Sequence, residues 1–127
     1  MPVEMPDDAP ADTPPRSPCP VACTLDVIGD RWTLLVVRDL MAGKTQFKQF
    51  TASPEKIASN ILAARLKLLI EAGLVEKTEL PGRGGPVAYT LTPKGQSLRP
   101  VLKAVADWGL AHIPRTRLGV KLPAPTR

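Results

Sequence analysis

Long hydrophobic runs are missing from this chain of 127 residues. Without a stretch of about 18 apolar residues, a membrane-spanning helix is excluded. The first residues lack the basic, apolar, small-residue order of an export signal, so a cytoplasmic protein is expected. Cysteine is scarce, with only Cys19 and Cys23, which argues against a disulfide-stapled scaffold. His112 is the only histidine. A metal site from Cys19, Cys23, Asp26 and His112 would match no standard zinc spacing, so no metal is expected. There is no C-x-x-C motif, no cofactor-binding loop and no convincing general base for a thiol enzyme built on Cys19. No cofactor and no catalytic residue are therefore expected. The length fits one domain with tails and leaves little room for a two-lobed enzyme.

Proline, by contrast, is abundant and clusters at the ends. Six of the fifteen prolines lie in residues 1–18, and Pro114, Pro123 and Pro125 lie in 114–127. Segments of this kind cannot offset the entropy of ordering. The expected division is a disordered acidic lead at 1–18, a domain at 19–113 and a basic tail at 114–127. The lead holds Glu4, Asp7, Asp8 and Asp12 against Arg16, although the whole chain is +5. The body is therefore strongly basic, which suits a polyanionic partner such as nucleic acid or, more blandly, solubility.

Periodicity divides the body. Pro20 suits a first helical position, and Val21, Leu25 and Ile28 share one face. Gly29 stops that helix, and Asp30 can cap a second from Arg31 to Ala42. The second helix is apolar nearly all round and is expected to be central. Thr45 can cap a short third helix, with Phe47 and Phe50 inward. A fourth spans about Ala58 to Ala72. It has Leu62, Leu66, Leu69 and Ile70 inward and Asn60, Ala63, Ala64, Lys67 and Glu71 outward. Two strand-like runs, Leu74 to Leu80 and Val87 to Leu91, flank a Gly/Pro-rich tip and predict a hairpin. Thr92-Pro93 opens a last helix, in which Pro100 predicts a kink. Leu98, Val101, Val105, Trp108 and His112 form a narrow seam along it. Helix, helix, short helix, helix, hairpin, helix is the order of a winged helix-turn-helix. The fold class is mainly α (α+β), with a β-hairpin wing and terminal helices free for dimerisation.

Several motifs then make the pattern specific. Cys19-Pro20-Val21 is followed by Leu25-Asp26-Val27-Ile28-Gly29-Asp30-Arg31-Trp32-Thr33-Leu34-Leu35. Later come Phe47-Lys48-Gln49-Phe50, Leu62-Ala63-Ala64-Arg65-Leu66, Gly73-Leu74-Val75, Tyr89-Thr90-Leu91-Thr92-Pro93-Lys94-Gly95 and Ala106-Asp107-Trp108-Gly109. This series, over residues 19–112, resembles the HxlR-type transcriptional regulators. The resemblance implies a homodimeric bacterial protein on double-stranded operator DNA, palindromic to match the dimer. The fourth helix would enter the major groove and the hairpin would reach the flanking backbone or minor groove. The first and last helices would form the dimer, through Val21, Leu25, Leu98, Val101, Val105, Trp108 and His112.

The residues fit that role. Ser59 and Asn60 open the expected recognition helix, where base edges are met, and Asn pairs well with adenine. The plainer alternative is that they cap the helix. Ala63 and Ala64 permit close approach. Arg65, Lys67 and Lys48 are candidates for phosphate, with Lys44 and Lys56 weaker ones, and Arg83 sits between glycines at the wing tip. Gln46, Ala58, Pro86 and Ala88 depart from the residues usual in the family. Cys19 lies at a helix N-terminus, where a thiol is activated, and in some HxlR-type regulators the matching cysteine senses oxidants or electrophiles. A plain structural cysteine is the alternative. The function read here is a sequence-specific DNA-binding repressor, open to a thiol-reactive or small-molecule effector. The alternative is a winged helix used for protein contacts without specific DNA binding.

Overall fold

The computed structural model describes residues 15–79 and 87–118. Arg83, with most of the acidic lead and of the basic tail, lies outside them. Six helices and one hairpin follow in order: α1 Pro20–Ile28, α2 Thr33–Met41, α3 Phe47–Thr51, α4 Ser59–Glu71, β1 Val75–Glu79, β2 Val87–Leu91, α5 Pro93–Gln96 and α6 Arg99–His112. The strands pair antiparallel, with Val75 opposite Leu91 and Glu79 opposite Val87. This is the winged-helix order that the sequence predicts.

Local chemistry sets the boundaries. The Asp30 carboxylate accepts the Trp32 N–H at 2.9 Å and the Thr33 N–H at 3.1 Å. It also accepts the Thr33 hydroxyl. The capped turn takes up Arg31 and Trp32, so α2 starts two residues later than expected. Gly43 and Gly73 follow α2 and α4 with φ of 102° and 78°, a left-handed backbone that favours glycine. Thr45 does not cap α3. Gln49 Oε1 instead accepts the N–H groups of Thr45 and Gln46, both at 2.9 Å. The Thr45 carbonyl accepts the Tyr89 N–H at 2.8 Å, which ties the wing to the start of α3.

The last helix also differs from expectation. It is two helices, broken at Ser97 and Leu98. Pro100 therefore sits in the first turn of α6, just after the break, where its missing N–H costs no helical bond. Thr92 Oγ1 accepts the Gly95 N–H at 3.0 Å and donates to the Gly73 carbonyl at 2.6 Å. The first bond caps α5 and the second anchors the hairpin's exit to the end of α4.

The core gathers Val36, Val37, Leu40 and Met41 of α2 against Leu62, Leu66 and Leu69 of α4. Phe50, Ile57, Leu74, Val75 and Leu102 complete it. Phe50 meets Tyr89 edge to face, with ring centroids 6.4 Å apart. Each such side chain contributes about 1.5–3 kcal/mol on burial. Burying one face of α4 on α2 holds the opposite face out to solvent.

Candidate nucleic-acid interface

That outward face carries Ser59, Asn60, Ala63, Ala64 and Lys67, all exposed. The N-cap of α4 is Ala58, and no side-chain hydrogen bond caps the helix. The capping role weighed for Ser59 and Asn60 is not realised, so their polar atoms face solvent at the helix start. The small side chains of Ala63 and Ala64 leave the middle of the face low. Such a surface can enter a groove and read base edges.

The cations around it differ in their surroundings. Lys48 is exposed on α3. Lys67 is exposed, with Nζ 3.9 Å from Glu71 one turn on. Lys44 is turned inward, its Nζ donating to Ser53 Oγ at 2.6 Å and lying 3.8 Å from Asp39. Lys56, in the turn before α4, is exposed and left-handed with φ of 58°. Arg65 Nε donates to Asp30 Oδ2 at 2.8 Å, on the flank of α4 and off the outward stripe. Partial burial pushes the Asp30 carboxyl up. Hydrogen bonds from Thr33, the Trp32 N–H and Arg65 outweigh this and bring it down to about 2. Ala88 is half-buried opposite Thr78.

A charged network holds the turn between α3 and α4. Arg38 donates to both oxygens of Glu55, each at 2.8 Å, and to Asp39 Oδ1 from Nε at 3.0 Å and Nη2 at 2.9 Å. Asp39 is only 3% exposed, and its other oxygen accepts the Ser53 hydroxyl at 2.6 Å. The paired hydrogen bonds raise the Arg38 guanidinium well above its ordinary range. The same bonds lower the Glu55 carboxyl.

Away from α4 in sequence, α1 and α6 each expose apolar side chains. Val21 and Leu25 lie on α1, and Val101, Val105 and Trp108 on α6, with Val105 53% and Trp108 61% exposed. The Trp108 and His112 rings are in tilted contact, with centroids 4.9 Å apart and planes at 41°. Leu98 departs from this seam and packs on the core. Leu102 is the inward anchor of α6 instead, one residue on from Val101. Cys19 is exposed at the N-cap of α1, and Cys23 Sγ donates to the Ser17 carbonyl at 3.1 Å. A cleft of about 280 Å³ opens beside α1, lined by Cys23, Val27, Leu74, Lys94 and Leu98. Among the described residues, no three His, Cys, Asp or Glu side chains gather as a metal would require. No helix among them is long and apolar enough to cross a membrane.

The family model described as HxlR-like helix-turn-helix matches residues 27–117. The chain belongs to the HxlR family. The HTH-type transcriptional regulator YodB of Bacillus subtilis is 36% identical over 91 residues, covering 71% of this chain and 81% of YodB. The B. subtilis regulator YdeP is 34% identical over 91 residues, covering 72% and 71%. The solved reduced form of the redox regulator HypR superposes with a TM-score of 0.70 at 29% identity, over 76% of this chain and 95% of HypR. Reduced YodB superposes with a TM-score of 0.66 at 32% identity, over 80% and 100%. This HxlR-family chain is a DNA-binding transcriptional regulator of the winged-helix type.

Sequence reasoning missed the polar network of this HxlR-family chain. Arg38, Asp39, Ser53 and Glu55 were not singled out, because α2 reads as an apolar helix. The signal was present. An Arg-Asp pair inside a helix apolar on nearly every side must find partners, since buried charge is costly unless paired. Which residues would answer it depends on how the chain folds back, and spacing does not show that.

Proposed function

We propose that this chain binds a palindromic operator as a homodimer, acts as a repressor, and answers to thiol chemistry at Cys19 or to a small-molecule effector. One observation carries the reading. The same chain presents a small, polar face on α4 and an unpartnered apolar face on α1 and α6. The first suits a groove and the second suits a copy of itself. Ser59 and Asn60 meet base edges, and Ala63 allows the approach. Lys48, Lys67 and Arg65 contact phosphates, with Arg65 oriented by Asp30. Arg83 extends the contact from the wing. Val21, Leu25, Val101, Val105, Trp108 and His112 line the dimer. A dimer of this kind sets its two recognition helices roughly 34–36 Å apart, one helical turn of DNA. An effector that changed how α1 and α6 pack would change that spacing and release the operator. The exposure of Cys19 and the likeness to a redox regulator support thiol chemistry as the trigger. Chromosomal binding places the protein at the nucleoid, in the cytoplasm.

The test is a fluorescence anisotropy titration with DNA from upstream of the chain's own gene against scrambled DNA, at several salt concentrations. The expected preference is about 10³-fold or more. The salt slope, about −0.9 per neutralised phosphate, counts the backbone contacts. Equal, weak binding to both probes would favour a winged helix that meets an acidic protein. Loss of binding on oxidation in the native chain but not in Cys19→Ser tests the trigger.

A further inference from the structure

The recognition helix starts without a side-chain cap. Ala58 has the extended backbone of an N-cap, with φ −69° and ψ 147°, but it has no oxygen to offer. A helix end in this state leaves backbone N–H groups unpaired and frays. Yet Ser59 and Asn60, the first two residues of that helix, are the ones aimed at base edges. Something else must hold them in place.

The turn is tied down just upstream. Glu55 is gripped at two points by Arg38. Ser53 is bonded to the adjacent Asp39. Consecutive residues of the central helix therefore hold both ends of Ser53–Glu55. Only Lys56, Ile57 and Ala58 separate this grip from Ser59. Lys56 is fixed by its left-handed turn, its N–H donating to the Ser53 carbonyl at 2.9 Å, and Ile57 is buried in the core. The Arg38 side chain is 16% exposed and that of Glu55 36%, so the strength of this bond comes from its two-point charged geometry rather than from burial.

We infer that the Arg38–Glu55 clamp replaces the missing cap and sets where Ser59 and Asn60 stand, making Arg38 and Glu55 positioning residues for operator discrimination. The inference rests on α4 being the recognition helix. Neither residue needs to touch DNA.

The test compares the native chain with Glu55→Ala, Ala58→Ser and the double variant. The probes are a duplex selected from random-sequence DNA by the native protein and a shuffled duplex of the same composition. Glu55→Ala is expected to lose discrimination by about 5- to 10-fold, the equivalent of one lost cap. Its salt slope stays that of the native chain. Ala58→Ser in the same chain restores the discrimination, because serine supplies the oxygen that alanine lacks. Amide exchange at Leu62, whose N–H makes the first bond of α4 to the Ala58 carbonyl at 2.9 Å, follows the same order, fast in Glu55→Ala and slow again in the double variant. Native discrimination in Glu55→Ala, unchanged exchange, or failure of serine to rescue would each overturn the clamp. If Glu55→Ala loses protection at Val37 and Leu66 as well, it has unfolded, and Glu55→Gln takes its place. Failure of the native protein to select any duplex would count against the recognition-helix reading, and the exchange measurement would still decide the clamp.

Discussion

Arg65 of α4 and Asp30 at the head of α2 are 35 residues apart in the chain and joined by a 2.8 Å hydrogen bond. The same carboxylate accepts the N–H groups of Trp32 and Thr33. One acid thus caps the central helix and holds the flank of α4, the helix proposed to face DNA. The two helices are fixed to each other at their polar edge as well as through Leu62, Leu66 and Leu69.

That pair makes stability depend on acid. The folded Asp30 carboxyl lies at about 2, below its ordinary 3.8, and Glu55 is lowered from 4.5. Between these values the unfolded chain binds more protons than the folded one, so stability falls as pH drops. The contribution is fully present above about pH 4.5 and is lost as pH falls towards 2. Asp30→Asn keeps a capping oxygen but loses the charge. It is expected to cost under about 1 kcal/mol at pH 7 and to flatten this acid limb, whereas Asp30→Ala costs about 1–2 kcal/mol. Denaturant melts at pH 7, 4 and 3 check it, and an unchanged acid limb in Asp30→Asn would count against the assignment.

Lys56 carries two opposed effects. Its φ of 58° is strained for any residue with a β-carbon. Lys56→Gly is therefore expected to raise stability by about 0.5–1 kcal/mol. If its charge meets a phosphate, the same change makes the salt slope shallower by about 0.9. A lower melting temperature would refute the first expectation, and an unchanged slope the second.

Gly95 is required by space. A β-carbon there would stand 2.2 Å from the Leu74 carbonyl oxygen and 2.8 Å from Leu91 Cδ2. That carbonyl accepts the Thr92 N–H at 3.0 Å, at the base of the hairpin. Gly95→Ala should destabilise by about 1–3 kcal/mol. The wing's amide protection should fall more than that of α2. Uniform loss across both would place the strain elsewhere.

Val105→Glu tests the apolar face. In the single chain Val105 is half exposed, so a charge there leaves the fold intact. On a dimer seam it is unpaired and buried, which is strongly unfavourable. The variant should sediment as a folded monomer and lose operator binding at the same time. A Val105→Glu protein that stays dimeric on its operator would refute the interface.

Much of this protein is written in local pattern. Element order, the alternation of faces on α4, the hairpin and the α6 seam from Val101 to Trp108 follow from the spacing of apolar residues. Those spacings fix which side of an element can be buried, whatever it packs against. The Asp30 and Thr92 caps are equally local. What the sequence left open involves partners distant along the chain. Arg65 reads as a free cation until Asp30 is brought beside it, and Lys44 until Ser53 is. Leu98 packs on the core with Leu102, because the break at Ser97 and Leu98 separates it from the α6 seam that starts at Val101. The charged grip of Arg38 on Glu55 arises only when α2 and the turn before α4 meet. Burial removes water from those groups, and only the folded chain decides which neighbours replace it.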